Sequence, residues 1–273
     1  MFGKLLKHEF RATARIIPLS WAAMVVIVGL YMLVNKLEIV WLQSTSIVFV
    51  VIAVVAVSLI AVCVVAARFY QTVYKNESYL THTLPVTAGQ ILWSKVLTGV
   101  FWICISAALT IGGLIVLFIP LYESDPSIRA MVDFYLNWAK QIGIVPVISV
   151  AILIGILSCV DSVAQIFTAI TLGNLPGNQK HSLALSVVFY LLINQVLSTT
   201  TGVISLLLPP ALRISATGVE LVMSVPFRTL MDMAESGAAF FDYGLVGIVL
   251  QYTMDFVMLF LVKRLLEKRL SVK

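Results

Sequence analysis

Charge is what this chain has least of. Asp, Glu, Lys and Arg make up 11% of its 273 residues, where soluble domains carry about 25%. A surface that mostly faces water is thereby excluded. Cysteine is nearly absent. Cys63, Cys104 and Cys159 fall inside apolar runs without metal-ligand spacing, which excludes a disulfide scaffold and reads as three small core residues. Histidine is as sparse, and His8, His82 and His181 lie on three separate polar segments, so no metal centre is expected. No G-x-x-x-x-G-K-[ST] loop occurs. The nearest stretch, GQILWSK, has Ser94 where the second glycine belongs, so it cannot wrap a phosphate. No catalytic residue and no cofactor of the chain's own is expected. The net charge of +5 is not interleaved with exposed aromatics, which argues against nucleic acid as a partner.

Hydrophobic residues make up 60% of the chain, with a mean hydropathy of +1.04. About 20 residues at 1.5 Å rise cross a ~30 Å hydrocarbon layer. Six runs are long enough: 16–34, 45–67, 96–120, 144–171, 183–209 and 243–262. Strand-like alternation is absent from them, so the fold class is all-α, a polytopic membrane protein with six transmembrane helices. The first run is not expected to be a cleaved signal peptide, because an amphipathic stretch precedes it and no A-x-A-like site follows.

Lys and Arg set the orientation. With both termini cytoplasmic, the inner segments hold Lys4, Lys7, Arg11, Arg15, Arg68, Lys75, Lys95, Lys180 and the basic tail from Lys263. The outer ones hold Lys36, Arg129, Lys140, Arg213 and Arg228 but most of the acids. The excess positive charge is therefore topological and faces anionic headgroups of the cell membrane. Asn76-Glu77-Ser78 fits a glycosylation sequon but falls inside, a chance match.

The connecting segments have their own grammar. In "MFGKLLKHEFRATAR" (1–15), Phe2, Leu5, Leu6 and Phe10 share a helical face, with Lys4, Lys7, His8 and Arg11 on the others. This reads as an interfacial helix, either a simple anchor or a functional contact. In 121–143, Ser124 or Asp125 is the N-cap and Pro126 the first helical residue of an amphipathic helix, whose Ile128, Met131, Val132, Tyr135 and Leu136 face the outer leaflet. The 172–181 loop is a tight turn. The outer segment 209–242 reads as two short helices broken near Pro226, with Ile214 to Phe227 too short to span.

Two acids fall within spans, Asp161 and Asp255. A charge at bilayer depth costs at least about 2.5 kcal/mol and needs a partner, a cavity or a proton. Asp161 reads either as a buried hydrogen-bonding residue or as a pathway lining. For Asp255, Gln251 one turn away and Lys263 two turns away suggest a local polar stripe.

The most specific stretch lies between spans two and three, in 68–95. Tyr74 to Leu84 offers two or three helical turns, and Pro85 ends them by disfavouring helix at Leu84. Thr87 with Gln90 then makes a T-x-x-Q capping box for the third span. A short helix held between two membrane helices is a lever, or else a rigid loop with no partner.

These pieces together resemble the membrane subunit of an ABC-2 type ATP-binding-cassette exporter. The resemblance covers nearly the whole chain as one permease domain. It rests on six spans with both ends inside, "LLKHEFRATAR", the loop "YKNESYLTHTLPVTAGQILWSK" and the long outer segment before the last helix. Its flavour is closest to small Gram-positive permeases of peptide-antibiotic resistance or export. The resemblance implies a coupling helix at Glu77, Tyr79, Leu80, Thr81, Leu84 and Pro85, docked on a separate ATPase that binds ATP and Mg, with Lys95 at the base of the lever. It implies that Phe2 to Arg15 touches the same ATPase and that 209–242 caps the pathway. The route would lie between two permeases, identical or different, lined largely by the second and fifth spans. The short outer loops depart from relatives with large extracellular domains.

Two other classes stay open. One is an ion-gradient carrier with Asp161 and Asp255 as coupling acids, against which stands the lack of an inverted repeat or of matched broken helices. The other is a non-transporting immunity or sensor subunit. An apolar cleft suits lipids, amphipathic peptides and hydrophobic drugs alike.

Overall fold

In hydrocarbon a backbone amide finds its partner only within its own segment, so long apolar runs fold as helices. The computed structural model of the chain describes residues 2–37, 39–75, 87–175, 181–215, 218–236 and 240–271. Six of its helices are long and apolar enough to cross a membrane: α2 (Ile17–Asn35), α3 (Val40–Tyr74), α4 (Ala88–Ser124), α6 (Ile144–Gly173), α7 (Ser182–Leu207) and α9 (Leu245–Ser271). The chain is an all-α, multi-pass membrane protein. Each span falls where the sequence puts it, but α3 and α4 run further. At 35 residues α3 is about 50 Å long, well beyond a ~30 Å hydrocarbon layer. The extra turns carry Arg68, Thr72 and Lys95.

Two compact units divide the chain, Met1–Ala130 and Met131–Lys273. In the first, the short helix α1 (Phe2–Thr13) packs mainly on α4. Its Phe10 ring meets Phe101 edge-on at 4.9 Å and lies 6.1 Å from Trp102. Helices α2, α3 and α4 enclose Met24, Tyr31, Val50, Val54, Val57 and Leu117. Polar groups inside this bundle bond across helices, because no solvent can satisfy them. Trp21 Nε1 donates to Ser106 Oγ at 3.0 Å, Tyr31 Oη to the Leu117 carbonyl at 3.1 Å, and the Ser58 and Thr110 hydroxyls lie 2.8 Å apart. A Cβ on Gly113 would sit 2.9 Å from Val54 Cγ2, so glycine sets the α3–α4 spacing. The outward faces carry exposed Leu19, Phe49, Leu59 and Ile115, which a bilayer covers.

Helix α5 (Pro126–Ile142) starts as the sequence predicts. The Ser127 N–H donates to Asp125 Oδ1 at 2.8 Å, and hydrogen bonds from Ser127 hold the Asp125 carboxyl below the ordinary carboxylate range. Its Met131, Tyr135 and Leu136 are exposed, Ile128 and Val132 partly so.

In the second unit α6, α7 and α9 pack together. A Cβ on Gly247 of α9 would lie 2.5 Å from Ser205 Cβ and 2.6 Å from the Thr201 carbonyl of α7. The segment 209–242 corrects the expectation of two short helices. One helix is there, α8 (Pro226–Ser236), starting at the proline. The segment's other described elements are three strands, β1 (Ala211–Ser215), β2 (Gly218–Val222) and β3 (Phe241–Gly244), paired antiparallel in the order β2-β1-β3. Gly218 has φ +125, which a residue with a Cβ rarely adopts, and the Ser215–Gly218 pair closes the hairpin. Arg213 faces Asp242 across the sheet and grips it with two bonds, 2.7 and 2.8 Å. Ser224 Oγ adds a third at 2.7 Å. Burial alone would push the Asp242 carboxyl up, but these donors outweigh it and hold the group below its usual value.

Cysteine also departs from expectation. Cys159 is buried, Cys104 is half-buried and Cys63 is exposed on the outside of α3.

Candidate functional site

Polar chemistry gathers at one place in each unit. In the first it begins with Glu9, which lies on the same face of α1 as Leu5, Leu6, Phe10 and Thr13. Seating that face on α3 and α4 buries the carboxylate, which is 5% exposed. A cation must therefore meet it. Lys95 Nζ of α4 lies 2.7 Å from Glu9 Oε1 and donates to Thr72 Oγ1 of α3 at 2.6 Å. Arg68 Nε of α3 is 3.6 Å from Glu9 Oε2. Thr72 passes its own proton to the Arg68 carbonyl at 2.7 Å. One buried ammonium thus joins three helices, and two of them are those that enter and leave the 75–87 connection.

Of the predicted coupling residues, the structure positions only Lys95. Glu77, Tyr79, Leu80, Thr81, Leu84 and Pro85 lie outside the described residues. Thr87 is the N-cap of α4, its Oγ1 accepting the Gln90 N–H at 3.4 Å. Of the predicted interfacial face, Phe2, Leu5, Leu6 and Phe10 are half-buried and Arg11 is exposed. Sequence reasoning missed Glu9, although its place in the i, i+3, i+4 apolar pattern is a signal.

In the second unit the two span acids come together. Asp161 Oδ1 of α6 accepts Gln165 Nε2 at 2.7 Å and Gln251 Nε2 of α9 at 2.6 Å. Asn194 of α7 donates to Gln165 Oε1 at 3.1 Å, so an amide relay crosses all three helices. Asp255 lies one turn beyond Gln251 on the same side of α9, the side that meets Asp161. Among the described residues its two buried carboxyl oxygens find no hydrogen-bond donor. The expected stripe along α9 is corrected: Gln251 serves Asp161, and Lys263 pairs with Glu267 at 3.7 Å. A carboxylate within a span calls for a cation, a cavity or a proton.

Beside the pair is a cavity of about 460 Å³, lined by Asp161, Gln165, Asn194, Thr201, Gln251 and Tyr252 among others. Its size is that of a small-ligand site. Among the described residues no group of three or more His, Cys, Asp or Glu is placed to hold a metal ion. No protein-family model, no curated protein and no solved structure matches the chain.

Proposed function

We propose that this chain is the transmembrane subunit of an ATP-driven exporter of the ABC-2 type. A separate ATPase powers it, and it moves a hydrophobic or amphipathic substrate out of the cell as one of a pair of permeases. The observation that supports this reading is the Glu9–Lys95–Thr72 junction. It fastens the amphipathic helix to the two spans that flank the 75–87 loop. A push delivered to that loop reaches α1, α3 and α4 as one body, since a buried ion pair with its hydrogen bonds resists separation of its partners. ATP-driven closure of two ATPases would bring the two coupling loops together, tilt α3 and α4, and open the pathway outward.

The test is transport in inside-out vesicles from cells expressing the chain with its neighbouring reading frames. Uptake should require ATP and survive an uncoupler. Glu77→Arg and Leu84→Asp should abolish stimulated ATP hydrolysis while the permease stays folded and inserted. Normal stimulation in both variants overturns the proposal.

A second reading has its own observation. Among the described residues Asp161 and Asp255 have no cationic partner, and Asp161 lines a cavity, as the coupling acids of an ion-gradient carrier would. Transport that needs no ATP and collapses with an uncoupler selects it.

A further inference from the structure

Among the described residues no ion pair reaches Asp161 or Asp255. Asp255 is 3% exposed, and neither of its oxygens has a donor. Asp161 Oδ1 accepts hydrogen bonds from the side-chain amides of Gln165 and Gln251. The other titratable groups around the pair are Tyr190 from α7, Tyr252 from α9 and Tyr243 from β3. A phenol is neutral or anionic and supplies no positive charge. Among the described residues, Arg213 grips Asp242, Lys263 pairs with Glu267 and Arg264 lies over the Phe260 ring. In a low-dielectric span such a pair must take its counter-charge from outside the chain.

We infer that Asp161 and Asp255 together bind one monovalent cation, a proton or an alkali ion, at the wall of the cavity between α6, α7 and α9. The site is bidentate at least, one carboxyl from each of two helices. Asp161 lines the cavity and gives the ion its way in. Binding changes the charge of the pair from two negatives to one, which the two amides satisfy. It also ties α6 to α9, because the ion belongs to both carboxyls. Loss of the ion leaves like charges in contact and drives the helices apart. This inference does not rest on the exporter reading, since the site is present whether ATP or a gradient drives the protein.

The experiment uses the purified full-length chain in lipid nanodiscs and needs no transport. Infrared spectra are taken at neutral pH in choline chloride, with and without ¹³C-labelled aspartate. Thermal unfolding is then followed in sodium, potassium or choline chloride at equal ionic strength. If the ion is a proton, an aspartic-acid carbonyl band appears in the wild type at a pH where exposed aspartate is wholly ionised, and it disappears in Asp255→Asn. If it is an alkali ion, that band is missing, and the unfolding midpoint climbs with sodium or potassium concentration, as expected for a ligand of the folded state. The climb is then lost in Asp255→Asn. Should that variant fail to fold, Asp161→Asn reads the loss of the ion-dependent midpoint, and the labelled wild type carries the band assignment by itself. A wild type with neither a labelled band nor an ion-dependent midpoint overturns the inference. So does a band or ion response that persists unchanged in both variants.

Discussion

Glu9 and Asp255 are both helix carboxylates removed from solvent, 5% and 3% exposed, but they are compensated differently. Glu9 has an ammonium at 2.7 Å and a guanidinium nitrogen at 3.6 Å, both fixed by the chain itself. Among the described residues neither oxygen of Asp255 has a donor. A buried charge with a built-in partner behaves as a fastener, whose strength does not depend on what surrounds the protein. A buried charge without one depends on whatever cation is available. The first unit therefore has a junction suited to carrying force, and the second a site suited to sensing or moving an ion. Within the second unit Asp242 repeats the Glu9 solution, likewise outside the spans, with Arg213 as its partner.

The sharpest way to break this comparison is to remove Lys95. Lys95→Met leaves Glu9 buried beside Arg68 alone, and breaking a buried pair by deleting one partner costs about 3–5 kcal/mol. Denaturant unfolding in detergent should show that loss, and Glu9→Leu added to Lys95→Met should restore most of it. Asp255→Asn, in contrast, should leave stability in choline chloride at neutral pH unchanged or raised, since no ion pair built into the chain is lost. If the two single variants are equally costly, the distinction between fastened and unfastened acids is wrong.

Arg213→Met comes next. Arg213 is partly exposed and Ser224 remains as a donor, so the loss should be nearer that of a charged hydrogen bond, about 1.5–3 kcal/mol. The sign with pH follows from the depressed Asp242 carboxyl. Its contribution is complete above the ordinary aspartate value of about 3.9 and fades as pH falls through the lower folded value. In Arg213→Met that folded value rises, so acid unfolding of the second unit should begin at a higher pH. An unchanged acid limb would mean that the sheet does not depend on this pair.

How much of this was legible in the sequence follows from the range over which each force acts. The spans were, because hydrocarbon leaves apolar segments no alternative to helix. Thr87 and Asp125 were, because a cap is satisfied within three residues. The hairpin was not. Its strands lie in an apolar segment whose composition also suits a helix, and only Gly218 with its positive φ marks the turn. Nor were the pairings at the sites: Glu9 and Lys95 are 86 positions apart, and Gln251 reaches Asp161 across 90. The sequence did flag Asp161 and Asp255 as anomalies, yet their contact depends on which faces α6 and α9 turn to each other. Packing decides that, and a single chain's periodicity does not encode it.

Glycine spacing tests whether that packing holds the acid pair. Gly247 lies one turn before Gln251, a donor to Asp161, and a methyl there runs into the Thr201 carbonyl and Ser205 Cβ. Backbone cannot step aside, so Gly247→Ala should cost about 1–3 kcal/mol, as overpacking does, and should weaken any ion response of the pair. Gly113→Ala meets side chains alone, a valine methyl at 2.9 Å and the Met24 thioether at 3.6 Å, and should cost less, leaving the ion response intact. Equal effects on the ion response would separate the acid pair from α7–α9 packing.

The smallest expected effect is at Thr87, on the same helix as Lys95. Its capping bond is long, 3.4 Å, and exposed, so Thr87→Ala should cost about 0.5–1 kcal/mol, at the weak end for a lost cap. That mildness makes it informative. Lys95→Met damages stability and any transmission of force together, so a loss of activity there has two explanations. Thr87→Ala loosens the first turn of α4, at the exit of the 75–87 connection, and leaves the Glu9–Lys95 junction in place. If ATP-dependent transport falls much further than stability does, the start of α4 carries the stroke. If transport follows stability, the junction only holds the bundle together and the drive enters elsewhere.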